Sequence, residues 1–507
     1  MIKIQAIENV IADPNGRAIL DTEHCSSWLE LMGGALDVVD TLRAADVLPG
    51  QHVAVLLGNC SEYYQILLGA IFAGCWLTPV NSHLTDPEIE YVLRDSGARM
   101  VFTDRELTFT TSEVVTMAPD ELFAGAARYN GDLVYQRLQG LLAERAGGYL
   151  MYTSGTTGRP KGVKRNSPEL LGETLLNWCQ VGCSIGLDGS GVHLVTGPIY
   201  HAAPGLYSLY DLLNGAGIVL MPRWDAELCL QLIESHGVTH THLVPTMFVR
   251  LLRGRDNYDR SYDLSTLDLV LHGAAPVAAA VKQQMIAWWG PVLVEYWGGS
   301  ESGILTRVSA NTWLSHPGTV GKPLPQYELS VRDENFECLP AGEIGTLYTR
   351  KPGQRRPFHY FNDEEKTESA YIDDWFTLGD LGWQDEQGYV YIADRRSNLI
   401  ISGGVNIYPA EVEAALLEHA AVADVVVIGV DDNEWGKRVH AVIQPVSGQA
   451  DDEARFIEEL NSFVRQRLAK FKVPRSFELV AQLPRFDSGK LYLNRLALDG
   501  PGHSQVQ

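Results

Sequence analysis

The stretch Tyr152-Thr153-Ser154-Gly155-Thr156-Thr157-Gly158-Arg159-Pro160-Lys161-Gly162-Val163 brings hydroxyls, flexible backbone and positive charge into one short loop. Gly155, Gly158 and Gly162 let successive backbone N–H groups turn toward an anion; Ser154, Thr156 and Thr157 add hydroxyl donors; Arg159 and Lys161 supply charge. That combination suits a polyphosphate. The apolar run from Gly148 to Tyr152 reads as a strand, so the loop leaves a sheet edge. Its spacing departs from the usual nucleoside-triphosphatase loop, because Arg159 and Pro160 stand where that pattern needs Lys and a hydroxyl residue.

Working outward, 507 residues are too many for one ordinary core, so two or more domains are expected. A formal net charge of -23 disfavours nucleic acid and anionic membrane as partners. A phosphorylated ligand must therefore meet local positive clusters. The first residues lack the apolar core of a signal peptide, and the run from Ile66 to Val80 is too short and interrupted to span a bilayer, which predicts a cytoplasmic protein without membrane insertion. Seven scattered cysteines fit reduced thiols, and Cys179 with Cys183 has no second pair with which to hold zinc. His240 and His242 would share a strand face; with no nearby carboxylate or third ligand in the sequence they read as structural.

Strand-like and helix-like stretches alternate through residues 1–396, as in the strand His52 to Leu57 followed by an amphipathic run from Glu62 to Phe72. That alternation predicts an α/β fold, a large N-terminal domain of layered α/β subdomains with substantially parallel sheets. A second unit, residues 397–507, begins near the glycine pair Gly403-Gly404. It holds a buried-type strand from Asp424 to Val430 and a helix with Phe456, Leu460, Phe463, Val464 and Leu468 at helical spacing. This is the expected small α+β domain.

The opening loop closely resembles the signature loop of the adenylate-forming superfamily, which includes acyl-CoA synthetases, coumarate-CoA ligases, beetle luciferases and peptide-synthetase adenylation domains. The resemblance covers nearly the whole chain. It implies an N-terminal AMP-binding domain, a small mobile C-terminal lid, Mg2+ as cofactor, and ATP and CoA as co-substrates. Residues Thr153 to Gly158 and Lys161 would meet the phosphates. In Glu295-Tyr296-Trp297-Gly298-Gly299-Ser300-Glu301, the resemblance makes Trp297 the adenine-stacking aromatic, Ser300 a phosphate donor and Glu301 the metal ligand. Relatives more often carry Tyr and Thr at the first two of those positions. His272-Gly273-Ala274-Ala275-Pro276 resembles the loop whose small residues let backbone approach adenine and the acyl chain. Asp380 matches the acceptor of both ribose hydroxyls and Arg395 a nucleotide-binding arginine. Lys490, in Leu483-Pro484-Arg485-Phe486-Asp487-Ser488-Gly489-Lys490-Leu491, resembles the catalytic lysine that bridges carboxylate and α-phosphate. Ser397 stands at the hinge, where many relatives have Asp or Lys.

For the acceptor, the resemblance places CoA against Ser402, Gly403, Gly404, Trp435, Phe471 and Arg475, with Arg465, Arg467, Lys470, Lys472 and Arg475 as a basic cluster free of intervening acids. For the acid, Gly197-Pro198-Ile199-Tyr200-His201-Ala202-Ala203-Pro204 resembles the pocket-wall motif of acyl-CoA synthetases. Ala202 and Ala203 offer no carboxylate to an α-ammonium group, which disfavours amino acids. The predicted acyl pocket is His201, Val244, Met247, Gly273, Gly298, Gly299, Ile304 and Leu305, with the glycine pair leaving volume at its floor for a fatty, aryl or polycyclic acid. The expected activity is an ATP-dependent acid–thiol ligase passing through an acyl-adenylate to a CoA thioester. Transfer to a carrier protein is the alternative, and the sequence leaves the oligomeric state open, a homodimer included.

Overall fold

In the computed structural model the described residues are 3–22, 24–109, 114–123, 129–153, 160–255, 258, 260–395, 398–402, 405–432, 435–446, 448, 450 and 452–485. Two large sheets dominate. The first has nine strands and includes five neighbouring parallel segments, Val192–Val195, Gly217–Leu220, His240–Leu243, Leu269–His272 and Leu293–Gly299. Both faces are covered, so Gly217–Leu220 is an apolar run, and even His-Thr-His-Leu of strand His240–Leu243 is buried throughout. Val195, Ile218 and Leu271 point into one core; their neighbours Leu194, Val219 and Val270 point into another, against helices Ala226–His236, Pro245–Gly254 and Ala279–Trp289.

The second sheet has seven strands and carries the parallel set Ala98–Thr103, His52–Leu56, Trp76–Pro79 and Gly148–Thr153. Val53, Val55 and Leu77 share a core with Val195 and Ile218 of the first sheet, and helices Trp28–Ala44, Ser61–Phe72, Leu171–Ile185 and Ala202–Asn214 contribute to it. Helices thus lie between the two sheets, the layered α/β arrangement expected. Ser27 starts helix Trp28–Ala44 with a capping box in which its hydroxyl accepts from Glu30 N and the Glu30 carboxylate accepts from Ser27 N.

A third, five-stranded sheet is built from segments between Glu328 and Arg395, and a fourth from segments between Ile400 and Leu479. The changeover falls between Arg395 and Ile400. Asp394, in strand Val390–Arg395, spans it: Oδ1 accepts from Asn398 Nδ2 at 3.1 Å and Oδ2 from Ala410 N at 2.9 Å, at the start of helix Pro409–Leu417. In the small unit, strand Val422–Asp432 extends two residues beyond each end of the run read from sequence. Phe456, Leu460 and Val464 of helix Glu453–Arg465 are buried against that unit's own core. No helix among the described residues is long and apolar enough to cross a membrane.

Candidate active site

A cavity of about 610 Å³ opens beyond the C-terminal ends of parallel strands from both large sheets. Thr153, Thr196 with Gly197, Val244 and Ala274 reach its wall at or just after the strands Gly148–Thr153, Val192–Val195, His240–Leu243 and Leu269–His272. Ala274 has a φ of 67°, a left-handed conformation that costs a non-glycine residue about 1–3 kcal/mol. That conformation bends the chain where it meets the cavity wall.

Ser300 and Glu301 sit on the wall at the turn between antiparallel strands Leu293–Gly299 and Gly303–Ser309. Tyr360 donates its hydroxyl proton to Glu301 Oε1 at 2.9 Å, and the Lys366 ammonium lies 4.1 Å above the Tyr360 ring. Burial, reinforced by the Glu301 charge, pushes the Tyr360 phenol up, so it stays a donor. A single carboxylate beside a hydroxyl fits Mg2+, which keeps several waters and binds through one or two carboxylates plus substrate phosphates. No larger cluster of metal-ligating side chains exists among the described residues.

Asp380 is 6 % exposed. Its Oδ2 accepts from Trp297 Nε1 at 2.8 Å and its Oδ1 faces Arg395 Nε at 3.4 Å. Burial raises the Asp380 carboxyl; the Arg395 charge and the indole hydrogen bond oppose it. Arg395 itself reaches the cavity wall.

Several expected positions are placed differently. Trp297 does not line the cavity; its ring is buried with Val163, Leu305, Leu347 and Phe358. Leu305 lies in the same cluster because strand alternation sends Ile304 to the cavity and Leu305 away from it. Gly273 and Ala275 are also off the wall, and the space a side chain at Gly273 would take is filled by protein, since a Cβ there would meet the Tyr296 carbonyl oxygen at 2.7 Å. Gly298 lines the cavity, yet its missing side chain makes room for protein: a Cβ would meet the Gly303 carbonyl oxygen at 1.9 Å across the hairpin. Lys161 pairs with Asp363 at 2.7 Å and is not on the wall. His201, Val244, Met247, Gly299 and Ile304 are.

In the small unit Ser402 pairs with Gly436, next to Trp435, and the Arg475 guanidinium lies 4.3 Å over the Trp435 ring. Phe471 is exposed. The basic cluster is partly neutralised by acids distant in sequence: Arg467 pairs with Glu418 at 3.1 Å and Lys472 with Glu411 at 2.6 Å. Ser154 to Gly158, Ser397, Gly403, Gly404 and Lys490 lie outside the described residues.

Of the two histidines of strand His240–Leu243, His240 does have a carboxylate nearby, one invisible to sequence spacing. Asp211 Oδ2 meets His193 Nδ1 at 2.9 Å and His240 Nδ1 at 2.8 Å. Burial pushes the Asp211 carboxyl up, but the imidazole hydrogen bonds outweigh it and hold it down at about 2. The trio ties two strands to helix Ala202–Asn214. His242 lines the cavity, shares a 3.0 Å hydrogen bond with the Tyr296 hydroxyl, and is lowered by burial to about 3, hence neutral.

Residues 8–357 match the family described as AMP-binding enzyme, and residues 411–490 match the AMP-binding enzyme C-terminal domain. The 2-succinylbenzoate–CoA ligase of Bacillus subtilis (strain 168) is 31% identical over 489 residues, covering 95% of each chain. The long-chain-fatty-acid–CoA ligase of the same organism is 31% identical, covering 92% of this chain and 89% of its own. The fatty acid–[acyl-carrier-protein] ligase ScoC of Streptomyces coeruleorubidus is 30% identical, covering 96% and 93%. Among solved structures, the o-succinylbenzoate CoA synthetase of Bacillus subtilis in complex with the acyl-adenylate intermediate OSB-AMP superposes with a TM-score of 0.81 at 28% identity, covering 99% of both chains. The same synthetase with ATP and magnesium ion gives 0.79 at 28% identity, over 97% of this chain and 99% of that one. With matches over both its large and its small unit, the chain belongs to the AMP-binding enzymes, the adenylate-forming superfamily.

Proposed function

We propose that the protein is an ATP-dependent acyl-CoA ligase. A substrate carboxylate oxygen attacks the α-phosphorus of ATP and pyrophosphate leaves; the CoA thiol, giving up its proton, then attacks the acyl carbon and AMP leaves. The observation that carries this reading is the convergence of Ser300, Glu301 and Arg395 with an apolar wall on one cavity. Ser300 donates to phosphate, Asp380 accepts from the ribose hydroxyls, and Arg395 reaches the nucleotide. Bound at Glu301, Mg2+ would neutralise phosphate charge. Tyr360 orients that carboxylate through the hydrogen bond to Oε1.

Lys490 supplies the positive charge between carboxylate and α-phosphate, and the loop residues Thr153 to Gly158 with Lys161 hold the phosphates; these roles rest on the family motifs. Ser397 serves as the hinge. The CoA contacts are Ser402, Gly403, Gly404, Trp435, Phe471 and Arg475, of which the Arg475–Trp435 stack already presents a cation beside an aromatic face. The boundary between the two domains is drawn at residues 396 and 397. A homodimer is compatible with this scheme, and a cytoplasmic setting fits the supply of ATP and CoA.

A carrier-protein acceptor is the second reading, favoured by the similarity to an acyl-carrier-protein ligase. A pyrophosphate-release screen over fatty, aryl and polycyclic acids tests both, with CoA, with a phosphopantetheinylated carrier, and with neither. Thioester formed only on the carrier would select the second reading. Absence of pyrophosphate release with every acid would remove both.

A further inference from the structure

Two adjacent cations of strand Lys161–Arg165 meet opposite environments. Lys164 has its Nζ 2.8 Å from His52 Nε2 and 4.4 Å from the ring centroids of both Trp76 and Phe361. Arg165, on the other face of the strand, lines the cavity. Its guanidinium has no hydrogen bond or ion pair among the described residues, although its backbone is paired with Phe358 across the sheet. A Cβ on Gly303 would come within 3.0 Å of Arg165 Nη1, which sets the guanidinium against the turn that follows Glu301.

Its surroundings are phenolic. Burial raises the Tyr149, Tyr207 and Tyr327 hydroxyls, and Arg165 is the cation that opposes the shift in each. Tyr149 lies on the wall, and its buried hydroxyl has no hydrogen-bond partner among the described residues. The one carboxylate among the described wall residues, Glu301, is engaged by Tyr360. A half-buried guanidinium without an anion is a poor resting arrangement for a protein alone and a good one for a protein awaiting a carboxylate, which it can grip through two parallel N–H donors. Apolar side chains on the same wall, Leu206 and Ile304 among them, suit a hydrocarbon segment between two charged ends.

We infer that Arg165 reads a second carboxylate on the acid, distant from the one that is adenylated, with the Tyr149 hydroxyl as an additional donor. The preferred substrates are then dicarboxylic acids with an apolar connecting segment. This rests on the acyl-CoA ligase reading above.

The test compares wild type, Arg165→Leu and Arg165→Lys with ATP, Mg2+ and CoA on matched acids: adipate against hexanoate, suberate against octanoate, sebacate against decanoate. Wild type should favour the diacid in at least one pair. Arg165→Leu should lose on the order of 100-fold in kcat/KM for that diacid while retaining or gaining activity on the monoacid, which also certifies its fold. Arg165→Lys should fall between. Wild-type preference for the monoacid in every pair overturns the inference, as does equal damage by Arg165→Leu to both members with a raised KM for ATP, which would assign Arg165 to phosphate. In both cases the ligase reading stands. Absence of pyrophosphate release from wild type with every acid overturns that reading too.

Discussion

At the end of the cavity proposed for the nucleotide, Glu301 and Asp380 are already held by Tyr360, Trp297 and Arg395, whereas at the end proposed for the acyl group the Arg165 guanidinium and the Tyr149 hydroxyl have no partner among the described residues. A ligand that never varies can be met by groups locked in advance, and such preorganisation avoids reorganisation during reaction. A ligand that defines the individual enzyme is met by groups whose last partner it brings. Substitutions at the first end should therefore scale the rate for every acid alike, and those at the second should reorder the acids.

The largest expected effect is that of Lys490→Ala. Adenylate formation should fall roughly 100- to 1000-fold for all acids, while thioester formation from a supplied acyl-adenylate is spared. Separate assays of the two half-reactions check this, and equal loss in both would remove the lysine from the first step.

Trp297→Phe deletes the indole donor to Asp380 and should raise the KM for ATP by about 10- to 100-fold, with acid preference unchanged. It also carries a pH signature. Asp380 must be ionised to accept from two ribose hydroxyls, its carboxyl is raised by burial, and the Trp297 hydrogen bond opposes that rise. Removing the donor moves the pKa further up, so the acid-side loss of kcat/KM for ATP should begin at a higher pH than in wild type. A pH profile with an unmoved acid limb would break the link between the two residues.

Tyr360→Phe should raise the Mg2+ concentration needed for half-maximal rate by about 10-fold, again equally for all acids, because a carboxylate loses the hydrogen bond that orients it. Reordered acid preference in this variant would collapse the distinction between the two ends. The smallest effect lies outside the cavity: Arg475→Glu should raise the CoA KM by about 5-fold at low salt and leave the ATP KM unchanged. The penalty should shrink with dephospho-CoA and with salt, since exposed charges are screened beyond about 8 Å at physiological ionic strength.

Much of this arrangement was legible in the sequence, for reasons that differ by residue. The parallel layering could be read because strands and helices alternate along the chain, and helix Ser61–Phe72 because its apolar content is local, although it is buried at every position but Glu62 and so lacks the amphipathic pattern expected. The wall positions His201, Val244 and Ile304 came with the family resemblance, and all three line the cavity. What escaped was set by register. Leu305 and Ile304 are indistinguishable in composition, and only strand pairing decides which one faces the cavity. Asp211, Tyr360, Glu411 and Glu418 reach their partners across long sequence separations that no local pattern announces. Arg165 did have a signal: alternation from Lys161 puts it on the face opposite Lys164. Reading it required knowing that a cavity, and not solvent, lay beyond.

The hairpin that carries Ser300 and Glu301 has a bearing on how such an enzyme can diversify. Because the Gly303 carbonyl occupies the volume that any side chain at position 298 would need, a change there disrupts the turn that presents Glu301 before it can reshape the pocket. Lineages acquiring new acids would then keep that floor and vary the side-chain-bearing walls, so a selection experiment for altered acid choice should accumulate changes around Val181, Leu206 and Arg165 while position 298 remains glycine.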